Sequence, residues 1–247
     1  MKIIFIAAGS STRLGTKTLN LPKGLIKINN NSIIGTQIDL FKKNYEIIII
    51  TGPNADKFNF KNVTYINDTN YKKHDVLGSL MVAKSYMNDE IITTYSDIIF
   101  DKKILNSIIE FKGDIGIAVE LNWEKRYTNR DQHPKSEADN VIIDNGEITK
   151  IQKNISKCKD EQIIGEFIGL MKLSKEGAEI FKNKYLDLEK THIGKFHGAQ
   201  SLEKAYLTDM LQELINSGLK ISPIIVNGNW CEIDTPQDIE IAKKIFK

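Results

Sequence analysis

An apolar segment near the start of the chain, followed at once by small residues, restricts the fold more than any other feature. Residues 3–7 form a near-continuous apolar run, which is typical of a strand buried on both faces of a parallel sheet. Ala7, Ala8 and Gly9 follow, and their small side chains let a ligand approach the backbone N–H groups closely. We therefore expect an α/β fold with a doubly wound, mostly parallel sheet.

The loop after this strand carries hydroxyl and cationic side chains. Ser10, Ser11 and Arg13 come first, and Lys23 follows Pro22. Arginine and lysine supply the positive charge that a triphosphate needs. Taken alone, the glycine and the arginine are equally compatible with a surface loop after a buried strand. The added Pro22-Lys23 pair favours a polyphosphate site.

Composition limits the classes of partner. The 247 residues, 41% of them hydrophobic, are enough for one substantial core. We therefore expect a single domain over residues 1–247. The net charge of +2, from 34 basic and 32 acidic side chains, provides no global field for nucleic acid or anionic lipid. Cys158 and Cys231 match no metal-binding spacing and predict free thiols. No apolar run approaches the roughly 20 residues of a membrane helix, so the expected location is cytoplasmic.

Strand and helix patterns alternate through the first half of the chain. This alternation predicts right-handed crossovers and the doubly wound sheet. The predicted strands are residues 3–7, Glu46–Thr51, Val63–Asn67 and Ile91–Tyr95. One predicted helix begins at Ser32, and a second spans residues 79–87.

Strands and turns dominate after Gly113. Apolar residues 141–143 and 148–151 flank an Asn145-Gly146 turn, which predicts a β-hairpin. We expect residues 123–164 to form a small β-rich insertion in the core, on the side where a second substrate, called the acceptor below, would bind. The remaining predicted strands are residues 115–120, 167–173 and 221–226. Of the remaining predicted helices, one begins at Ser174 and one spans residues 202–217 before Gly218. The last spans residues 236–246, with Thr235 or Asp234 near its N-cap.

Two aspartates are the candidate metal ligands. Asp97 follows the strand Ile91–Tyr95, and ligands of α/β sheets bind at the carboxyl ends of strands. Asp234 precedes the last helix. Mg²⁺ prefers a few carboxylates together with phosphate oxygens and water. Either aspartate alone fits a helix cap or a solvated turn better. Glu232 is a weaker third candidate, since strand alternation points it the same way as Asp234.

The stretch AAGSSTRLG, followed by LPK, resembles the signature of nucleotidyltransferases that activate sugar phosphates, phosphocholine and phosphonates. Ser11 departs from it, because glycine is common at that position. The resemblance implies a Rossmann-like fold of nucleotidyltransferase type and a metal held by Asp97 and Asp234. It implies catalytic roles for Arg13, Lys23 and Lys153, the last because a lysine at the end of this hairpin contacts phosphate in the wider family.

A second stretch resembles the base-reading segment of cytidylyltransferases. NDTNY at residues 67–71 is followed by Ser79-Leu80. Cytosine needs acceptors for its 4-amino group and a donor for its carbonyl, and backbone groups together with the Ser79 hydroxyl meet both needs. Ser79 is equally explained as a helix N-cap. The resemblance favours CTP, whereas the residues alone predict only a nucleoside triphosphate. The predicted nucleotide-binding residues are Ala7, Ala8, Gly9, Ser10, Ser11, Asn70 and Ser79.

The segment from residue 123 to 153, with EFIGL at 166–170, resembles cytidylyltransferases found with phosphonate biosynthesis. Arginines are suited to clamping a dianion, and an aromatic, acidic pocket suits a cationic amine. Alternatively, the aromatic side chains cover the sheet and the basic ones form a solvated face. His133 fits a structural role better than that of a base. The predicted acceptor-binding residues are Trp123, Arg126, Tyr127, Arg130, Glu137 and Glu166.

The leading hypothesis is an Mg²⁺-dependent cytidylyltransferase. It would transfer CMP from CTP to a small phosphonate or phosphomonoester such as 2-aminoethylphosphonate and release pyrophosphate. A sugar-1-phosphate nucleotidyltransferase and a phosphocholine cytidylyltransferase are the nearest alternatives. A catalytically inactive nucleotide-binding regulator is a third. A related glycosyltransferase ranks lower, because Asp97 is not part of a DxD pair. The sequence leaves a homodimer open.

Overall fold

The computed structural model describes residues 1–9, 14, 21–41 and 45–247. Within them, helices cover both faces of a nine-stranded mixed sheet. The strands are β1 (Lys2–Ala7), β2 (Lys27–Ile28), β3 (Asn31–Ser32), β4 (Glu46–Thr51), β5 (Val63–Asn67), β6 (Ile91–Tyr95), β7 (Ile98–Phe100), β8 (Ile115–Glu120), β9 (Asp139–Asp144), β10 (Glu147–Lys153), β11 (Ile163–Leu173), β12 (Ser222–Ile225) and β13 (Trp230–Glu232). The helices are α1 (Ile33–Phe41), α2 (Val76–Val82), α3 (Lys102–Glu110), α4 (Lys175–Thr191), α5 (Leu207–Asn216) and α6 (Pro236–Ile245).

The first half of the chain builds the parallel part of the sheet. β1 lies between β4 and β6 and is parallel to both, and β5 continues the parallel order beyond β4. Alternate residues of β1 enter different cores: Ile4 packs with α2, α4 and α5, whereas Phe5 packs with α1 and α3. A strand buried in this way on both faces requires an apolar residue at every position. The predicted α/β class is confirmed.

β11 joins this parallel part to the antiparallel part. Its C-terminal residues pair with β6, its N-terminal residues pair with β9, and β8 runs along its other side. Gly169 interrupts the strand at φ +82°, and a Cβ there would lie 2.6 Å from the Tyr95 ring. Only glycine accommodates both the positive φ and this contact.

The β9–β10 hairpin has the expected two-residue turn. Asn145 and Gly146 both have positive φ, at 49° and 81°, as a type I′ turn requires. The hairpin lies against the N-terminal half of β11. The assignment of residues 123–164 as an insertion stays a prediction.

Several helix boundaries follow the predicted caps. The Ser174 side chain accepts from Gly177 N–H at 2.9 Å, and Thr235 forms a capping box with Asp238 at the start of α6. Two expectations were wrong. α2 begins at Val76 rather than at 79 and ends before a 3-10 turn over Lys84–Tyr86. α5 begins at Leu207 rather than at 202, because Asp209 accepts the Tyr206 N–H and closes the first turn there.

A small two-stranded sheet of β7 and β13 was not predicted, and neither was α3. The Asp101 side chain caps α3 by accepting from the N–H groups of Lys103 and Ile104. In the part of the chain that the structure describes, no helix combines the length and apolar character needed to cross a membrane.

Candidate active site

The small β7–β13 sheet brings the two candidate metal ligands together. Asp97 lies between β6 and β7, and Asp234 lies just after β13. Glu232 pairs with Ile98 across the sheet, and the Ile233 N–H donates to the Asp97 carbonyl at 2.8 Å. Both aspartates therefore lie at the carboxyl end of β6, where a parallel sheet binds ligands.

Lys23 bridges these carboxylates. Its Nζ donates to Asp97 Oδ2 at 3.0 Å and also to Asp234 Oδ1. Burial opposes the charge of Lys23, but the negative charges of Asp97 and Asp234 outweigh burial and raise the pKa of Lys23 above its ordinary value. The lysine is therefore a cation held between two anions. Glu232 is close as well: burial and the charge of Asp234 raise the pKa of its carboxyl well above the ordinary value.

A cavity of about 820 Å³ opens along this edge of the sheet. It runs past the end of β1, where Gly52 packs against the Ala8 carbonyl so closely that a Cβ would collide with it. Ten of the predicted site residues line the cavity, namely Ala7, Ala8, Gly9, Lys23, Ser79, Asp97, Glu137, Lys153, Glu166 and Asp234. Ser10, Ser11 and Arg13 lie outside the described residues, so their roles stay predictions.

One end of the cavity is built on Asp68, which is 1% exposed. Asp68 follows β5, and its Oδ2 accepts from Ser79 Oγ at 2.9 Å and contacts His74 Nδ1 at 2.9 Å. Its Oδ1 accepts the Asn70 N–H at 3.0 Å. Ser79 lies inside α2, so its alternative explanation as a helix N-cap was wrong. Asn70 reaches this network through its backbone and does not line the cavity.

The opposite end of the cavity contains Lys153 and two buried acids. Lys153 Nζ lies 5.3 Å from the centre of the Tyr206 ring. Glu166 Oε1 accepts from the Tyr127 hydroxyl. Glu166 Oε2 and Asp139 Oδ1 are buried and have no hydrogen-bond partner among the described residues. Burial raises the pKa of Glu166 to about 8 and that of Asp139 to about 6.

The two arginines predicted to clamp the acceptor are occupied elsewhere. Arg126 forms two hydrogen bonds with Glu120, at 2.9 and 3.1 Å. Arg130 Nε donates to Asp238 Oδ1 at 2.6 Å, and the two side chains are 4% and 0% exposed. Neither arginine lines the cavity. The structure therefore places Arg126 in an ion pair with β8 and Arg130 in an ion pair with α6. Their roles at the acceptor stay predictions.

The two aromatic residues predicted to bind the acceptor, Trp123 and Tyr127, do not line the cavity either. Trp123 is buried, packs edge-to-face on Tyr127 with ring centres 6.0 Å apart, and lines a separate smaller pocket. Tyr127 does not line the large cavity and acts on it through Glu166. Of the predicted acceptor-binding residues, Glu137 and Glu166 remain in the cavity lining.

His133 is a cavity residue that sequence reasoning set aside. Its Nδ1 lies 3.4 Å from Asp234 Oδ2, and its Nε2 lies 3.5 Å from Glu232 Oε2. Burial and the nearby Arg130 charge lower the pKa of His133. Ligand atoms of these three residues lie within 4.8 Å of one another, so the group could hold a metal ion. The HP dipeptide marked a loop but carried no signal for this proximity.

A mostly parallel mixed sheet with two aspartates and a lysine beside a cavity at its carboxyl edge is typical of an α/β nucleotidyltransferase. Comparison with known proteins gives the family. Residues 3–134 match the model of the MobA-like NTP transferase domain, and the chain belongs to this family.

Three known proteins are similar to nearly the whole chain. CTP:phosphoglutamine cytidylyltransferase of Campylobacter jejuni is 27% identical over 98% of this chain and 98% of its own. Among solved structures, CTP:phosphocholine cytidylyltransferase from Streptococcus pneumoniae (LicC) has a TM-score of 0.73 at 21% identity, covering 100% of this chain and 99% of its own. The inositol-1-phosphate CTP transferase from T. maritima has a TM-score of 0.70 at 19% identity and covers 99% of this chain and 95% of its own. The two structures support the fold alone.

Proposed function

We propose that this enzyme is a cytidylyltransferase that transfers CMP from CTP to a small acceptor bearing a phosphate or phosphonate dianion. The observation that carries the proposal is the position of Lys23 between Asp97 and Asp234, in a cavity that also holds Lys153. Support for CTP comes from the similarity over the full length to a CTP-dependent relative.

The donor half of the site is the end of β1 together with Lys23. The N–H groups of residues 7–9 and the charges of Lys23 and Arg13 bind the triphosphate. Lys23 holds and neutralises the phosphate oxygens over which negative charge spreads as pyrophosphate leaves. Lys23 can serve in this way only by exchanging its two carboxylate partners for phosphate oxygens.

The carboxylates around Lys23 suit a magnesium ion. Asp97 Oδ1 is buried and has no hydrogen-bond partner in the described part of the chain, and carboxylate oxygens are the hard ligands that Mg²⁺ prefers. Asp97 and Asp234 would hold the ion. When bound, it would supply charge neutralisation to the phosphate oxygens.

The acceptor half of the site is centred on Lys153. Its ammonium group would hold the acceptor dianion so that one oxygen faces the α-phosphorus of CTP. That oxygen forms the new O–P bond while the bond from the α-phosphorus to pyrophosphate breaks, and the electron pair leaves with pyrophosphate. A dianionic oxygen carries no proton, so His133 is not needed as a base.

The buried acids beside Lys153 indicate a nitrogen-bearing acceptor. Glu166 and Asp139 each have one buried oxygen without a partner among the described residues. Such oxygens are costly to bury unless a ligand donates to them. An ammonium group is a suitable donor to such an oxygen, and 2-aminoethylphosphonate carries one together with its phosphonate dianion.

A screen for pyrophosphate release tests the proposal. Each of the four ribonucleoside triphosphates is combined with 2-aminoethylphosphonate, phosphocholine, phosphoglutamine and glucose 1-phosphate, with Lys23→Ala as the inactive control. We expect release with CTP and a nitrogen-bearing acceptor. Release with glucose 1-phosphate alone would instead identify a sugar-1-phosphate nucleotidyltransferase. Nucleotide binding without any release would indicate a regulator.

A further inference from the structure

We propose that Asp68 determines which base the enzyme accepts, by fixing the Ser79 hydroxyl as a hydrogen-bond acceptor toward the cavity. The inference rests on the proposed function, because it concerns the nucleotide end of the same cavity. Asp68 itself does not line the cavity, whereas Ser79 and His74 do. Asp68 is thus a positioning residue that acts through Ser79.

The location follows from the order of strands at the edge of the sheet. Asp97 and Lys23 lie beyond the end of β6, residues 7–9 lie at the end of β1, and Asp68 lies at the end of β5. The Asp68 N–H donates to the Thr51 carbonyl at the end of β4, at 2.7 Å. A nucleotide with its phosphates at Lys23 therefore extends its base across β4 toward Asp68 and Ser79.

The direction of the hydrogen bonds follows from the chemistry of a carboxylate. An ionised carboxylate only accepts hydrogen bonds, and a serine hydroxyl has one proton to donate. Ser79 Oγ donates its hydrogen bond to Asp68 Oδ2 at 2.9 Å. The Ser79 oxygen is left with lone pairs alone for a ligand. His74, whose Nδ1 lies 2.9 Å from the same Asp68 oxygen, must likewise donate from Nδ1.

An oxygen that only accepts distinguishes between bases. Cytosine presents a 4-amino donor, whereas uracil presents a carbonyl acceptor at the same position. A buried acceptor facing an acceptor leaves both without a partner, and this is how a polar site rejects a near-isosteric ligand strongly. The Asp68–Ser79 pair thus favours CTP over UTP.

The Asp68→Asn variant tests the inference in full-length enzyme. The Asn70 N–H donates to Asp68 Oδ1, so the amide oxygen takes that position and the amide nitrogen faces Ser79. The nitrogen then donates to Ser79 Oγ, which frees the serine proton to face the base, and His74 adapts by changing tautomer. We expect the ratio of kcat/KM for CTP to that for UTP to fall at least tenfold, with the value for UTP rising.

Two further variants separate positioning from structural damage. Ser79→Ala removes the oxygen that accepts a hydrogen bond from the base. The kcat/KM for CTP should therefore fall, and the kcat/KM for UTP should not rise. Asp101→Ala removes a helix cap outside the cavity, so it should lower the melting temperature and leave the ratio unchanged. Dissociation constants of CTP and UTP, measured without acceptor, should shift in the same directions as kcat/KM.

The outcomes distinguish this inference from the proposed function. An unchanged ratio in Asp68→Asn, or an equal fall for both nucleotides at a wild-type melting temperature, would overturn the role of Asp68. If Asp68→Asn does not fold, retention of the full CTP preference by Ser79→Ala would overturn it instead. A wild-type enzyme that does not use CTP at all would contradict the proposed function itself.

Discussion

The Lys23 ammonium group donates a 3.0 Å hydrogen bond to Asp97, and its side chain is only 14% exposed. It also contacts Asp234. The lysine thus lies between the two carboxylates that we propose as ligands of a divalent ion. Because a cation and Lys23 neutralise the same charges, the loss of one should increase the need for the other.

Replacing Lys23 by methionine should reduce pyrophosphate release by about 10²-fold or more, since a preorganised cation is lost at the developing charge. The variant should also gain a dependence of its melting temperature on Mg²⁺, because Asp97 and Asp234 then repel each other without an ion. Thermal scans with and without Mg²⁺ measure this, with the exposed Lys57→Met as the control. Near-normal turnover of Lys23→Met would contradict the catalytic role of Lys23.

Replacing Lys153 by methionine should raise the acceptor KM by about tenfold or more, because a charge-assisted contact to the dianion is lost. The KM for CTP should stay near the wild-type value. Steady-state kinetics with each substrate varied in turn provide the measurement. Lys150→Met is the matched control, since Lys150 lies on the same strand and is exposed. An unchanged acceptor KM would place the acceptor elsewhere.

Replacing Arg130 by methionine should lower the free energy of unfolding by about 3–5 kcal/mol, because Asp238 would remain buried and charged without its partner. The acceptor KM of the folded fraction should not change, since Arg130 lies outside the cavity lining. Urea denaturation measures the loss. Arg126→Met, whose side chain is 27% exposed, should lose less. A large rise in acceptor KM at full stability would restore Arg130 to the acceptor site.

Replacing Glu166 by glutamine should change how stability depends on pH. The pKa of Glu166 in the folded protein is about 8, against an ordinary value of 4.5. Between these values the folded state binds more protons than the unfolded state, so the free energy of unfolding falls as pH rises and levels off above pH 8. The glutamine variant lacks this fall. Relative to wild type, its free energy of unfolding should rise by about 4 kcal/mol between pH 5 and pH 9.

Urea denaturation at pH 5, 7 and 9 measures this difference, with the exposed Glu161→Gln as the control. Parallel pH profiles for wild type and Glu166→Gln would show that Glu166 titrates normally. The same titration bears on binding. A cationic acceptor pairs with the ionised carboxylate, so its KM in wild type should fall as pH rises toward 8.

Local sequence patterns predicted most strands, turns and helix caps, but they gave the wrong start for α2. The double-sided burial of β1, the Asn145-Gly146 turn and the caps at Ser174 and Thr235 depend on neighbours within a few residues, so periodicity and turn chemistry predict them. The start of α2 was misplaced because Ser79 resembles a cap in sequence. Its hydroxyl bonds to Asp68, which lies before the helix in the chain.

The sequence by itself determined the α/β class and predicted a nucleotide site after the first strand, with Lys23, Asp97 and Asp234 as chemically suited groups. Only the tertiary structure decided which groups meet. The β7–β13 pairing places Asp234 beside Asp97, and the fold buries Arg130 against Asp238, outside the cavity lining. Such pairs form between segments distant in the chain, and their geometry depends on strand register and packing that no local pattern records.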